Sequence, residues 1–365
     1  MNRRAHAACL VLVIASAPLQ AYDINEHVSI SGVIAGAGQC EDVSGVPGGA
    51  DECRAALPVQ PAIGITPTDA DEFLFGFGFA VGNGLNAVTP FAIAPWAADL
   101  EDDVVDINGR NRSYLLQAWY KHTFTFSDEH TLGATLGIID ATAYLDENAY
   151  ANDEYTQFMN SALVNGPNVF LPSYDAGGAL EWDVGNWSVR GVFMNIGEND
   201  DGENYNFAGA QIGYRAETSL GEGNYRFIVD TTSEAFLNPA GTSFERLTAV
   251  LLSFDQQLGQ NLGAFIRFGW QDDSAAVDYK SIYSGGFDIS GKLWGRSDDN
   301  VGVGFAYLDG GNLNIDHTYV AETYYRATLN DYFAITADLQ YMNDDYVTGD
   351  GPDGVIFGIR ATAEF

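Results

Sequence analysis

The sequence is poor in basic residues and histidine, and each shortage excludes a class of function. It has 16 Lys and Arg residues against 50 Asp and Glu residues, a formal charge of −34. Binding to nucleic-acid phosphates requires an excess of Lys and Arg, so we expect no nucleic-acid partner. The five histidines are scattered, and none lies at metal-ligand spacing from another. We therefore predict no metal site and no cofactor.

Long apolar runs are also missing. After residue 21 no segment approaches 18 uninterrupted apolar residues, so no transmembrane helix is predicted. Residues 1–21 combine Arg3 and Arg4 with a short apolar core and small residues up to Ala21, which predicts a cleaved signal peptide and export. Residues 22–365 are predicted to form a single domain. Cysteine is scarce as well. Cys40 and Cys53 remain after cleavage, and in an oxidising compartment we expect them to form a disulfide that closes a small loop.

The sequence does contain many segments in which apolar and polar residues alternate. In 354–365, for example, Phe357 and Ile359 alternate with Gly358 and Arg360. A strand that lies between lipid and a wet lumen has this pattern, and a closed barrel is the only spanning structure other than helices. Sixteen such segments are present: 28–37, 72–83, 86–95, 112–125, 130–140, 177–185, 187–197, 206–218, 223–232, 245–258, 262–272, 283–295, 300–309, 318–329, 333–343 and 354–365.

The connections between these segments alternate in length. The short turns are predicted at 83–84, 127–129, 185–186, 221–223, 259–261, 297–299 and 330–331. Short periplasmic turns and long extracellular loops are typical of bacterial outer-membrane barrels. A soluble β-sandwich or β-propeller would explain the strands but neither the lipid-like face nor the alternation. We therefore predict an all-β, transmembrane antiparallel barrel of about sixteen strands. A terminal Phe365 that ends a strand also predicts recognition by the outer-membrane assembly machinery.

The parity of each strand assigns its charged and aromatic residues to a face. Eight cations lie opposite the apolar series of their own strands: Lys121, Arg190, Arg215, Arg226, Arg267, Lys292, Arg326 and Arg360. Trp119, Trp294 and Tyr324 are likewise assigned to the lumen. Acids concentrate in the predicted loops 99–106, 146–154, 198–203 and 344–353. Because Lys and Arg are costly on the lipid face, inward cations are expected in any barrel. Their spread over many strands further indicates contact with the permeating solute.

The segment 140–176 is a long connection that is predicted to fold inward as a constriction loop. Its candidate pore residues are Asp140, Tyr144, Asp146, Asn148, Asn152, Asp153, Glu154 and Gln157. Residues 153–164 have the pattern of a short amphipathic helix, with Asp153 as its N-cap.

This segment also carries a family resemblance. Residues 140–165 read DATAYLDENAYANDEYTQFMNSALVN, which resembles a stretch of the carbohydrate-selective outer-membrane porin (OprB) family. Residues 118–124 (AWYKHTF) and 357–360 (FGIR) are similar to that family as well. The resemblance implies a sixteen-stranded sugar porin in which the 140–176 loop helps to form the constriction.

The functional hypothesis is therefore passive, carbohydrate-selective diffusion of small sugars across the bacterial outer membrane, without catalysis. The expected surroundings are outer-membrane lipids and lipopolysaccharide, and the sequence leaves open a monomer or a trimer. A channel for acidic sugars or other small anions is the nearest alternative, because the predicted wall is cationic. A barrel enzyme such as a lipase needs a nucleophile–histidine pair that the sequence does not show. A structural or adhesive barrel with a plugged lumen is the third alternative.

Overall fold

The structure, a computed structural model, describes residues 21–46, 50–86, 88–96 and 104–365. Residues 1–20, nearly all of the predicted signal peptide, lie outside the described residues. Within the described ranges, no helix is long and apolar enough to cross a membrane.

Sixteen antiparallel strands form a closed barrel, which confirms the predicted fold class. Each strand pairs with the next in the sequence, and β16 pairs with β1 to close the sheet. The strands are β1 (Val28–Ser44), β2 (Ala50–Thr68), β3 (Asp71–Phe77, continued by Phe79–Val81), β4 (Leu115–Ser127), β5 (His130–Ile139), β6 (Asp175–Val184), β7 (Trp187–Ile196), β8 (Tyr205–Thr218), β9 (Gly221–Thr232), β10 (Thr248–Gln257), β11 (Leu262–Gln271), β12 (Tyr279–Ser290), β13 (Asn300–Gly310), β14 (Ile315–Thr328), β15 (Phe333–Tyr346) and β16 (Asp353–Glu364).

The remaining elements are short. The strand Tyr22–Asn25 pairs with the start of β1, and two small hairpins are formed by Asp106–Ile107 with Arg110–Asn111 and by Phe236–Leu237 with Phe244–Glu245. The helical pieces are the 3-10 turns Ala141–Ala143, Pro167–Val169 and Gly291–Trp294 and the α-helix Ser161–Val164.

The two faces of the strands differ as the alternation predicts. On β16, Phe357 and Ile359 are 58% and 65% exposed on the outer face. The next residue, Arg360, points inward and is fully buried. Along β15 exposed and buried residues alternate without interruption for ten residues. An apolar outer face and a polar inner face are what a strand between lipid and water requires.

One predicted strand is wrong, and one strand was not predicted. The described residues of 86–95, which are 86 and 88–95, do not form a strand; they lie in the long connection that follows Val81, and Pro95 makes an isolated bridge to Asn160. The predicted turn at 83–84 is wrong for the same reason. The strand that was missed is β2. It contains Pro58 and Pro61, which have no backbone N–H to donate to a neighbouring strand and are unusual inside a sheet, so its sequence does not look like a strand. The count of sixteen holds because one false segment and one missed strand cancel.

The disulfide has a different setting from the predicted loop. Cys40 and Cys53 lie directly opposite each other on β1 and β2, and their sulfurs are 2.03 Å apart. The bond therefore joins two paired strands, and the segment that it closes includes the end of β1 and the start of β2.

Most short connections lie at one end of the barrel, here named the turn end, and the longest ones lie at the other, here named the loop end. Exceptions to this rule are residues 291–299, a longer connection at the turn end, and residues 311–314, a short one at the loop end. The turns predicted at 127–129, 185–186, 259–261, 297–299 and 330–331 lie at the turn end, and the one predicted at 221–223 lies at 219–220 because β9 begins at Gly221. The connection between β5 and β6, residues 140–174, leaves the loop end and folds into the barrel. We call it the constriction loop.

Most of the constriction loop packs on the inner faces of β10–β16. Phe158 and Leu163 share a buried apolar cluster with Phe265, Ile282 and Ala306 of the wall. The predicted helix 153–164 is wrong over most of its length, because the α-helix covers only Ser161–Val164. The physical reason lies in the wall, because the amides of Met159 and Asn160 donate to the Glu322 carboxylate (2.6 and 3.0 Å) instead of to helical carbonyls. Asp153 does cap a single turn: its side chain accepts the Tyr155 N–H (2.8 Å) and its main-chain oxygen accepts the Gln157 N–H (2.8 Å).

Candidate functional site: the constriction of the barrel

A recess remains between the constriction loop and strands β1–β4. We call it the aromatic recess. Its wall side includes Gln60, Glu72, Gln117, Trp119, Lys121 and Glu181, and its loop side includes Asp140, Tyr144, Asn152, Asp153, Glu154 and Tyr155. The indole N–H of Trp119 donates to Gln117 Oε1 (3.1 Å), and Gln60 Nε2 donates to the Tyr155 hydroxyl (2.8 Å). These bonds orient two aromatic rings on opposite sides of one water-accessible space.

The aromatic recess is rich in carboxylates. Its only wall cation among the described residues, Lys121, pairs with Glu181 at 2.6 Å between Nζ and Oε2. On the loop side, burial and the neighbouring Asp153 raise the pKa of Glu154 to about 7. Burial also raises the pKa of Asp140, against hydrogen bonds from Thr142 and Ser173 that lower it. Carboxylates and amides are suited to hydrogen bonding with sugar hydroxyls, and ring faces are suited to their C–H surfaces.

A second recess, the basic recess, lies toward the turn end between β5 and β9. Arg190, Arg215 and Arg226 line it together with Glu147 of the constriction loop. Arg190 pairs with Asp183 (2.8 Å) and Arg226 with Asp255 (2.5 Å). Burial raises the pKa of Glu147 to about 7, although the charges of Arg190 and Arg226 lower it. Arg215 lines the recess without a side-chain partner among the residues that the structure describes.

Carboxylates line the wall as well as the acidic loops, which the predicted partition into a cationic wall and acidic loops did not include. Besides the pairs already given, Arg326 binds Glu364 at 2.7 Å. Parity could have found these acids: Asp183 and Asp255 follow the outward-facing Trp182 and Phe254 in their strands. Four wall cations, Lys121, Arg190, Arg226 and Arg326, are therefore paired with carboxylates, and the wall is not the cationic surface that the sequence suggests.

Two predicted pore arginines face the constriction loop instead of the open lumen. Arg267 and Arg360 have no exposed surface. Arg267 pairs with Asp146, with its Nε 3.0 Å from the carboxylate. Arg360 donates to the main-chain oxygens of Glu154 (2.5 Å) and Gln157 (2.9 Å).

Three further lumen predictions need correction. Lys292 and Trp294 lie in the 3-10 turn Gly291–Trp294 at the turn end, because β12 stops at Ser290 instead of continuing to 295. Trp294 is exposed and its ring lies 6.1 Å from Tyr325, an outward-facing residue. Tyr324 does point inward but is buried, with its ring edge-on to Phe158 at 5.1 Å, so the constriction loop covers it.

The candidate residues of the constriction loop divide into two groups. Asp140, Tyr144, Asn152, Asp153 and Glu154 line the aromatic recess. The others hold the loop. Asp146 pairs with Arg267, Asn148 donates to Ser253 Oγ (3.2 Å), and Gln157 accepts the N–H of Asn152 (2.7 Å).

The sequence analysis missed the residues that fix the end of this loop. Arg110, in the first small hairpin, and Arg112, which follows it, both pair with the buried carboxylate of Asp175 at 2.7 and 2.6 Å. Nothing in the local pattern of 104–112 indicates this contact, because it joins residues more than sixty positions apart. Among the described residues, no cluster of His, Cys, Asp or Glu has the geometry of a metal site.

Comparisons with known proteins agree with this architecture. Residues 78–365 match the family model described as carbohydrate-selective porin, OprB family. An uncharacterized protein of Aquifex aeolicus is 32% identical over 286 residues, which cover 76% of this chain and 81% of the relative.

Solved structures share the fold. The high-pH structure of Pseudomonas putida OprB aligns with a TM-score of 0.69 and 13% identity, covering 93% of this chain and 94% of the other. A loop-deletion variant of Vibrio cholerae OmpT, an outer-membrane protein, aligns with a TM-score of 0.54 and 10% identity over 93% and 99% of the two chains. Family and fold imply an outer-membrane channel and not an enzyme. The chain belongs to the OprB family of carbohydrate-selective porins and serves as a passive channel for small sugars.

Proposed function

We propose that neutral sugars cross the constriction through the aromatic recess, between the constriction loop and strands β1–β4. The observation that carries this proposal is the pair of aromatic surfaces on opposite sides of the recess, Trp119 on the wall and Tyr144 and Tyr155 on the loop. A permeant must bind weakly enough to leave again. Ring faces combined with the polar groups of Glu72 and Asn152 offer modest affinity of this kind to a polyhydroxylated solute.

The charge of the recess supports neutral solutes over acidic ones. Glu72, Asp153 and Glu154 line it, and its cation Lys121 is already paired with Glu181. A sugar acid that enters would place its carboxylate beside these acidic groups, without an unpaired cation to bind. A neutral sugar has no such penalty.

A channel for acidic sugars or other small anions is the second candidate. One observation favours it: Arg215 lines the basic recess and has no side-chain partner in the part of the chain that the structure describes. An arginine fork binds carboxylates in two parallel hydrogen bonds. Reversal potentials in planar bilayers distinguish the candidates, since strong anion selectivity would favour the second.

The membrane context extends the proposal. Exposed apolar residues such as Phe357 and Ile359 on the outer face support contact with outer-membrane lipids and, at the loop end, lipopolysaccharide. Phe365, whose main chain exchanges two hydrogen bonds with Gly32 (2.7 and 3.0 Å), is proposed as the signal for the assembly machinery. Residues 1–21 are proposed to be a cleaved signal peptide and 22–365 a single barrel domain, either monomeric or oligomeric.

Sugar-induced block of the ion current through single channels tests the proposed path. Glucose passing the recess should interrupt the current in the wild-type protein, and Trp119→Ala should reduce the block several-fold. Trp294→Ala is the matched control, because this tryptophan lies on the outer surface at the turn end. An equal block in wild type and Trp119→Ala would refute the path through the aromatic recess.

A further inference from the structure

We propose that three wall residues, Arg267, Glu322 and Arg360, are positioning residues that set the width of the channel by holding the main chain of the constriction loop. This inference concerns the position of the loop and rests on the proposed function only in that the loop bounds the solute path. The three residues come from β11, β14 and β16, far from the loop in sequence.

Arg267 joins three parts of the loop at once. Its Nε lies 3.0 Å from the Asp146 carboxylate, its Nη1 donates to the Leu163 oxygen (3.2 Å), and its Nη2 donates to the Val164 oxygen (3.1 Å) and to the Ala151 oxygen. A planar guanidinium with five donors can satisfy such a set, whereas an ammonium cannot do so with the same geometry. Its complete burial leaves the solute no access to it.

Glu322 and Arg360 hold the next part of the loop in complementary ways, Glu322 as a hydrogen-bond acceptor and Arg360 as a donor. The two oxygens of Glu322 accept the amides of Met159 and Asn160, and Arg360 donates to the oxygens of Glu154 and Gln157. The held residues therefore include Glu154, whose side chain lines the aromatic recess. A shift of this main chain moves the boundary of the recess directly.

The wall also has space for the loop at two inward-facing glycines. A β-carbon at Gly304 would lie 2.8 Å from Leu163 Cδ1 and 2.9 Å from Phe158 Cε1. One at Gly263 would overlap the ring of Tyr150 even more closely than this. Side chains at these positions would push the loop toward the open lumen. The two glycines therefore help the three wall residues to keep the loop against the wall.

Single-channel conductance and liposome swelling test the proposal with Arg267→Met and Arg360→Met. Each variant keeps an unbranched apolar side chain and loses the guanidinium group that donates to the loop. We expect conductance to rise by about half or more, and the permeation ratio of a trisaccharide to glucose to rise several-fold. Arg246→Met is the matched control, because Arg246 lies in the exposed connection between β9 and β10, where it pairs with Glu234 at 3.0 Å, away from the constriction loop. Variants that fold, as judged by heat-modifiable mobility on gels, and keep the wild-type ratio would overturn the proposal.

Amide hydrogen exchange gives a second readout that needs no variant at the arginines. In the wild-type protein, the amides of Met159 and Asn160 should exchange as slowly as strand amides, and Glu322→Gln should speed both. Fast exchange in the wild type would overturn the proposal. If the wild-type channel passes no glucose, the proposed function fails, while conductance and exchange still test the positioning role.

Discussion

The Nζ atom of Lys121 lies 2.6 Å from Glu181 Oε2, and the pair reaches across β5 at the edge of the aromatic recess. The side chains are only 16% and 7% exposed, so the cation is engaged with the wall before any solute arrives. Three further wall cations are likewise paired with carboxylates: Arg190, Arg226 and Arg326. Pairing of this kind gives a polar lumen without a strong positive field.

Lys121→Gln should make the channel more selective for cations while glucose still passes, because Glu181 keeps its charge without a partner. The lumen loses one positive charge, and a unit charge at about 8 Å in water is worth about 0.5 kcal/mol to a passing ion before screening, so the cation-to-anion permeability ratio should rise about 2- to 5-fold. Reversal potentials in a salt gradient measure this ratio. The double variant Lys121→Gln/Glu181→Gln should return it toward the wild-type value, and an unchanged ratio in the single variant would contradict the pairing.

Ion selectivity should also depend on pH between 6 and 8. The pKa values of Glu147 and Glu154 are raised to about 7, in both cases chiefly by burial. Both groups are mainly ionised at pH 8 and mainly neutral at pH 6, so acidification removes negative charge from the lumen and should lower the preference for cations. In Glu147→Gln/Glu154→Gln the same titration should leave the reversal potential nearly constant; a full pH dependence in that variant would assign the effect to other groups.

Removing the Arg267 side chain should destabilise the loop as well as move it. Loss of one partner from a buried ion pair costs about 3–5 kcal/mol, because the remaining charge is left uncompensated. Arg267→Ala should therefore unfold at lower denaturant concentration than wild type, and Asp146→Asn/Arg267→Met should recover part of the loss. The lumen-facing Arg215→Ala should change stability by no more than about 0.5 kcal/mol. Equal stabilities of Arg267→Ala and Arg215→Ala would be inconsistent with the buried pair.

The disulfide should matter for stability and not for transport. Cys40 and Cys53 are separated by 13 positions, and cross-linking a loop of about this length stabilises a protein by about 3 kcal/mol in the chain-entropy model. Cys40→Ser/Cys53→Ser should lower the unfolding free energy by about this amount. Its conductance and sugar rates should match wild type, because both cysteines lie on the outer face of β1 and β2. A changed sugar preference would show that the bond shapes the pore.

The alternation of apolar residues was sufficient to predict the barrel, because each strand separates lipid from water along its whole length. It also placed Arg190, Arg267 and Arg360 on the inner face. The same rule failed at β2, where Pro58 and Pro61 interrupt the pattern, and at Lys292 and Trp294, where the strand ends before its pattern does. These errors are local and have local causes.

The role of an inward residue was harder to predict than its direction. Arg226 and Arg267 have the same sequence signature, yet one lines a recess and the other is buried under the constriction loop. The difference depends on where a long loop folds inside the barrel, which is decided by contacts between residues about one hundred to two hundred positions apart. Periodicity contains no information about such contacts.

The most direct test of the account is the swelling of liposomes that contain the wild-type protein, measured in iso-osmotic solutions of glucose and of glucuronate at pH 8. The two solutes have the same ring and differ in charge. The account predicts rapid swelling with glucose and clearly slower swelling with glucuronate. Glucose rates no higher than those of protein-free liposomes, or faster entry of glucuronate, would contradict it.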